Sequence, residues 1–272
     1  MKLSMRLIAA AALCLGAAGC TSDPTALSAG STAGALAGVS TDHVASGSAF
    51  PDATTGSKTA PGVPNPLTDG AGPAAGGREV IAEPAVADIM MPGPLPEMAL
   101  GRADAAVTIV QYASLTCPHC RNFHADTFPQ MKREYIDTGK VRYILREFPI
   151  GMTSGNATIA LRCAAPDKYF ALYGKFLEQQ SSWVSQDVRL DPIFAVAKQV
   201  GLTRPQFDAC LKNESLIANL KWVKERGRKL GVIGTPNFFV GTKRVKTELT
   251  MPEIRALVDP MLHGPSPIAA KQ

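Results

Sequence analysis

Nowhere in the 272 residues do five or six basic residues stand together, although 28 Lys and Arg exceed 23 Asp and Glu to give a net charge of +5. The excess is modest and dispersed, which argues against a nucleic-acid partner. The N-terminal apolar stretch Leu7–Leu15 is shorter than the roughly 20 residues a bilayer span needs. There is no second CxxC to complement Cys117-Pro118-His119-Cys120, and no histidine cluster. Four zinc ligands are therefore not assembled, since His124 would make only a trio. Arg121 stands where a CxxCH haem attachment requires histidine. Internal repeats are absent, and Phe50 is the only aromatic residue between Thr21 and Pro96.

What is present begins with an export signal. Lys2 and Arg6 form a positive n-region, Leu7–Leu15 an apolar h-region, and Ala17-Ala18-Gly19 supplies small residues for cleavage. A cleaved leader over residues 1–19 implies an exported, periplasmic protein in an oxidising compartment where disulfides persist. Small residues before Cys20 resemble the lipobox of bacterial lipoproteins, although Ala17 replaces the usual Leu. Ordinary signal-peptidase cleavage is the alternative. Cysteine parity favours lipidation and membrane anchorage through Cys20. Cleavage removes Cys14, and lipidation of Cys20 then leaves Cys117, Cys120, Cys163 and Cys210, an even set. Thr21 resembles the residue that follows the cysteine in lipoproteins sent to the outer membrane.

Residues 20–96, rich in Ala, Gly, Ser, Thr and Pro, cannot bury enough apolar surface to offset ordering entropy. They are expected to form a disordered tether, with a root-mean-square span of roughly 50 Å for ~75 residues. The folded domain is expected over 97–263, and 264–272 as a flexible tail. Val107–Tyr112 is apolar at almost every position and predicts a central strand. Cys117 to about Thr138 predicts a helix kinked at Pro129 and ended by Gly139. Val141–Phe148 predicts a second strand. A helical block of about 152–230 follows, then a strand at Asn237–Val240 and an edge strand at Lys243–Thr247. Thr250-Met251-Pro252-Glu253 has capping-box spacing before a last helix, which Pro260 is expected to end early.

The CxxC at the strand-to-helix junction carries the chemistry. Unpaired N–H groups and the dipole at a helix N-terminus favour a thiolate at Cys117. The thiolate, not the thiol, attacks disulfides. A buried structural disulfide or half of a zinc site is the alternative use of the motif.

Cys117-Pro118-His119-Cys120 resembles the active site of the DsbA family of thiol oxidases. Gly234-Thr235-Pro236 before Phe238-Phe239-Val240 resembles the cis-proline loop of thioredoxin folds. The helical block is similar to that family's inserted domain. The resemblance covers roughly 97–263 and implies an α/β thioredoxin-like fold with a helical insertion. It implies that Cys117 forms the mixed disulfide and Cys120 resolves it, with His119 stabilising the thiolate. It further implies a cis bond at Pro236, and pairing of the backbone beside Thr235 with an extended substrate. Some relatives are similar in carrying a second bond, so Cys163 and Cys210 are expected to form a structural disulfide, the alternative being two buried free thiols.

The implied function is donation of a disulfide to unfolded or newly exported cysteine-containing proteins. A DsbB-like membrane oxidase would restore the disulfide, and no cofactor or metal beyond the redox-active disulfide is expected. A periplasmic reductase or isomerase is the nearest alternative, and a metal-binding or holdase module one of a different class. One position departs from the family pattern. Six residues before Cys117, where thioredoxin-like proteins often carry an acid, stands Gln111. Glu147 is the nearest alternative acid by strand reading, its other reading being a paired charge beside Arg146, and Trp183 and Trp222 are expected to lie in the core.

Overall fold

The computed structural model describes residues 80–263. The expected leader, Cys20, the tether as far as residue 79 and the tail lie outside the described residues. Ordered chain begins earlier than the expected boundary at residue 97. Residues 80–96 carry helix α1, Val86–Met90, whose Ile89 is 1% exposed. The composition of this segment is that of a tether, but one well-placed isoleucine and its backbone carbonyls dock it. Arg146 donates to the Ile89 carbonyl at 2.6 Å and Arg226 to that of Asp88 at 2.5 Å. The Ile81 N–H adds a bond to the Lys229 carbonyl at 2.8 Å.

Five strands form one sheet in the order β1-β3-β2-β4-β5. They are β1 (Met98–Leu100), β2 (Val107–Ala113), β3 (Val141–Glu147), β4 (Asn237–Val240) and β5 (Lys243–Val245). β2 and β3 run parallel, with Ile109 beside Tyr143 and Ala113 beside Glu147. The other neighbours are antiparallel. β2 is the middle strand, and both its faces are covered, which explains its nearly unbroken apolar sequence. Val107, Ile109 and Ala113 join the large core that holds Cys120, Phe123, Tyr143 and Phe238. Val110 and Tyr112 join the opposite core with Ile89, Ile144, Phe239, Leu230 and Val232.

The helix after the CxxC is more broken than the expected single kink. Helix α2 (Pro118–Asn122) passes into a π turn, Phe123–Thr127, then into α3 (Phe128–Met131) and a second π turn, Lys132–Ile136. Pro129 lies in the first turn of α3. Its missing N–H falls where the wider π turn has already shifted the bonding register.

The helical block comprises α4 (Gly151–Cys163), α5 (Tyr169–Glu178), α6 (Gln180–Trp183), α7 (Leu190–Ala197), α8 (Arg204–Cys210) and α9 (Glu214–Lys229). Asn213 caps α9 by accepting from the Leu216 N–H. Gly227 lets α9 approach the sheet closely, because a Cβ there would stand 2.8 Å from the Tyr112 ring. Trp183 is fully buried. Trp222, expected in the core, is instead 39% exposed. Its ring packs over the backbone of Gly93, where a Cβ would be only 2.8 Å away. The tryptophan thus covers the N-terminal segment rather than entering the interior. The last helix, α10 (Met251–His263), continues through Pro260 rather than stopping there. Glu253 closes its start by accepting from the Thr250 N–H at 2.8 Å, and the His263 ring bonds the Asp259 carbonyl at its end. Among the described residues no helix is long and apolar enough to cross a membrane.

Candidate active site

Cys117 is the N-cap residue of α2, with extended backbone angles, and Pro118 occupies the first turn, where an absent N–H costs nothing. The sharp exit from β2 is held from several sides. Gln180 of α6 donates to the carbonyls of Leu115 at 2.8 Å and Cys117 at 3.1 Å. Ser114 shares a hydroxyl bond of 2.8 Å with Ser154 of α4 and accepts from the Ile150 N–H. Neither Gln180 nor Ser154 carries a sequence signal, since each is far along the chain from the cysteines it supports.

Thr235-Pro236 arrives from the other side of β2, just before β4, through a cis peptide bond. The Cys117 thiol, when protonated, donates to the Thr235 carbonyl at 3.1 Å. The structure therefore brings Cys117, Pro118, His119, Cys120, Thr235 and Pro236 into one site. Both active-site cysteines are free thiols, Cys117 half-buried and Cys120 wholly buried.

The two sulfurs have opposite acidities. Cys117 is lowered to about 5. The main cause is a hydrogen bond from the Cys120 side chain. Partial burial opposes it, while Thr235 and the backbone N–H groups of Cys120 and His119 add to it. Cys120 is pushed well above the ordinary thiol value, first by burial, then by its bond to Cys117 and that sulfur's charge. One sulfur is thus an attacking thiolate near neutral pH, and the other a protonated thiol. The His119 side chain lies differently from the expectation. It contributes to the thiolate through its backbone, while its ring Nδ1 is 2.5 Å from Glu248 Oε1.

Gln111 is fully buried on the cysteine-bearing face of the sheet and accepts a short hydrogen bond from the Tyr143 hydroxyl. Glu147 does not pair with Arg146. Adjacent strand residues point to opposite faces. Arg146 accordingly reaches Ile89 and Glu97 on one side. Glu147 meets Arg162 and the Tyr169 hydroxyl on the other. His124 stacks on Phe128 and meets Tyr173 edge-on, and burial lowers its basicity. Cys163 and Cys210 form a disulfide that joins the end of α4 to the end of α8 across 47 residues.

Comparison with known proteins agrees with this geometry. The thioredoxin family model matches residues 95–260. A Rickettsia bellii protein provisionally named a protein-disulfide oxidoreductase is 34% identical over 169 residues, 60% of this chain and 63% of that one. The chain thus spans less than two thirds of that relative, and about half of the other rickettsial relatives. Disulfide bond formation protein D of Bacillus subtilis is 25% identical over 61% of this chain and 77% of its own. Among solved structures, Wolbachia pipientis alpha-DsbA1 superposes with a TM-score of 0.60 at 26% identity, covering 65% of this chain and 96% of that one. BdbD from Bacillus subtilis, at 23% identity and a TM-score of 0.58, covers 68% of this chain and 99% of its own, and shares the fold. The matched segment holds the CxxC, the cis-proline loop and the helical block together, it is similar to DsbA proteins throughout, and the chain belongs to the thioredoxin family.

Proposed function

We propose that the protein is an exported thiol oxidase that transfers the Cys117–Cys120 disulfide to cysteine-containing proteins. The observation that carries this reading is the divided acidity of the pair. A thiolate held at about 5 stabilises the dithiol form, and a stabilised dithiol makes its disulfide a stronger oxidant.

In the oxidised protein a substrate thiolate attacks Cys117 Sγ. The Cys117–Cys120 bond breaks, and the electron pair leaves on Cys120, which takes up a proton in its buried site. Cys117 is now joined to the substrate. A second substrate thiolate attacks the substrate sulfur of this mixed disulfide and releases Cys117 as a thiolate. The substrate gains a disulfide, and the protein gains two electrons. The Thr235 backbone beside Cys117 is suited to pair with an extended substrate segment.

Apolar surface beside the site supports unfolded proteins as substrates. Ile233, two residues before Thr235, is 90% exposed, and Ile150 is 48% exposed. Both line a shallow groove of about 340 Å³ with Phe148 and Val232, whose remaining wall is basic, from Lys224 and Arg228. Reoxidation by a DsbB-like membrane oxidase, periplasmic residence and anchorage through lipidated Cys20 complete the proposal. The leader-like N-terminus favours export, and the cysteine parity favours anchorage.

The test is to equilibrate the full chain in graded glutathione buffers and identify the trapped thiols by mass. An oxidase keeps Cys117 and Cys120 reduced until the buffer is strongly oxidising. A pair that is already a stable disulfide in reducing buffer would make the protein a reductase or a structural module.

A further inference from the structure

The position of the His119 ring has a second partner at its origin. Glu248 lies between β5 and α10, 129 residues from His119, and accepts from its Nδ1 at 2.5 Å and from Asn122 Nδ2 at 3.3 Å. Both donors belong to α2. The carboxylate comes from a fixed backbone, because the next residue, Leu249, is fully buried and Thr250 is tied to Glu253. Its own side chain is 34% exposed, so water competes only in part. The His119 side chain is 68% exposed and has room to take other rotamers.

A carboxylate and a thiolate both attract an imidazole N–H, and hydrogen bonds to charged acceptors are the stronger ones. The ring donor given to Glu248 is withheld from Cys117. We propose that Glu248 is a positioning residue that captures the His119 ring, withholds it from the Cys117 sulfur, and thereby moderates the oxidising power of the pair. Freed from Glu248, the ring can turn to the thiolate and add a stabilising contact that the wild-type site forgoes. Arg121, Asn122 and Glu248 are the polar neighbours that share this rim, and Arg121 is itself directed to Asn122.

This inference deepens the oxidase reading but is tested separately. The absolute glutathione equilibrium of the wild type tests the oxidase reading, whereas only the difference between variants tests Glu248. In the full chain, Glu248→Ala should move the glutathione equilibrium about tenfold toward the dithiol, about 30 mV for a two-electron couple. The Cys117 thiolate should titrate at lower pH in the same variant. Glu248→Gln, which keeps an acceptor oxygen but loses the charge, should shift both in the same direction by less, and it guards against misfolding of the alanine variant. In a His119→Ala background, Glu248→Ala should have no further effect. An unchanged or more reducing Glu248→Ala protein would overturn the proposal. So would a shift of equal size with His119 absent, because the carboxylate would then act on Cys117 directly.

Discussion

Acidifying the reduced protein should remove stability that Cys117 supplies, and the amount follows from its environment. The thiol stands at about 5 in the fold against an ordinary value of 9.0. A depressed acid contributes stability that is complete above the unfolded value and disappears as pH falls through the folded one. At pH 7 the contribution spans about two pH units, or about 2.7 kcal/mol at 1.4 kcal/mol per unit. Cys117 is only half-buried, and solvent screening reduces this to about 1–1.5 kcal/mol. The opposite shift at Cys120 takes effect only as pH approaches its unfolded value of 9.0 and leaves the range between pH 5 and 7 untouched. Urea unfolding of the reduced chain at steps between pH 5 and 7, beside Cys117→Ser, isolates the effect, since Cys120, whose acidity depends on Cys117, stays protonated there in both proteins. The wild type should lose about 1–1.5 kcal/mol relative to Cys117→Ser between pH 7 and pH 5, with m-values unchanged. Parallel stability curves for the two proteins would refute the claim that the fold holds this sulfur as a thiolate.

Replacing Cys163 and Cys210 together by Ala should cost roughly 4 kcal/mol by the chain-entropy relation for their loop, read as a lower urea midpoint, while thiol exchange at Cys117 continues. Arg162→Met leaves Glu147 charged and buried without its guanidinium. It should destabilise by about 3 kcal/mol in the same assay, and Glu147→Gln added to it should recover part of the loss. Ile89→Ala should cost about 2–4 kcal/mol and expose residues 80–96 to proteolysis before the rest of the domain, since this side chain anchors that segment.

The sequence carried the central strands and the chemistry because both are local. Val107–Ala113, Val141–Glu147 and Asn237–Val240 are β-branched or aromatic runs, and each became a strand close to its expected bounds. The CxxC and the Thr235-Pro236 loop are likewise written in a few consecutive residues. What stayed hidden depends on contacts between distant segments. β1 has three residues and no alternation to betray it, and α1 sits in composition fit for a tether. The partners of Arg146 and Glu147 follow from which sheet face each occupies, which neighbouring letters do not show. Gln180 reaches the Cys117 carbonyl, and Glu248 the His119 ring, only because α6 and the β5–α10 segment are brought there by packing. Trp222 shows the same limit from the other side, since its hydrophobicity spoke for the interior while its place on α9 faces the N-terminal segment.

The contact between Cys117 and the Thr235 carbonyl spans 118 residues of chain. Its two halves enter the sheet on different strands, and the helical block is synthesised between them. Before β4 docks, Cys117 therefore lacks the Thr235 contribution, while its main support, Cys120, lies in the same helical turn. The Thr235 contribution is added when β4 has docked beside β2, by which time Cys163 and Cys210 have both been made. The Cys117 sulfur thus reaches its full acidity only after both cysteines of the second disulfide are in the chain.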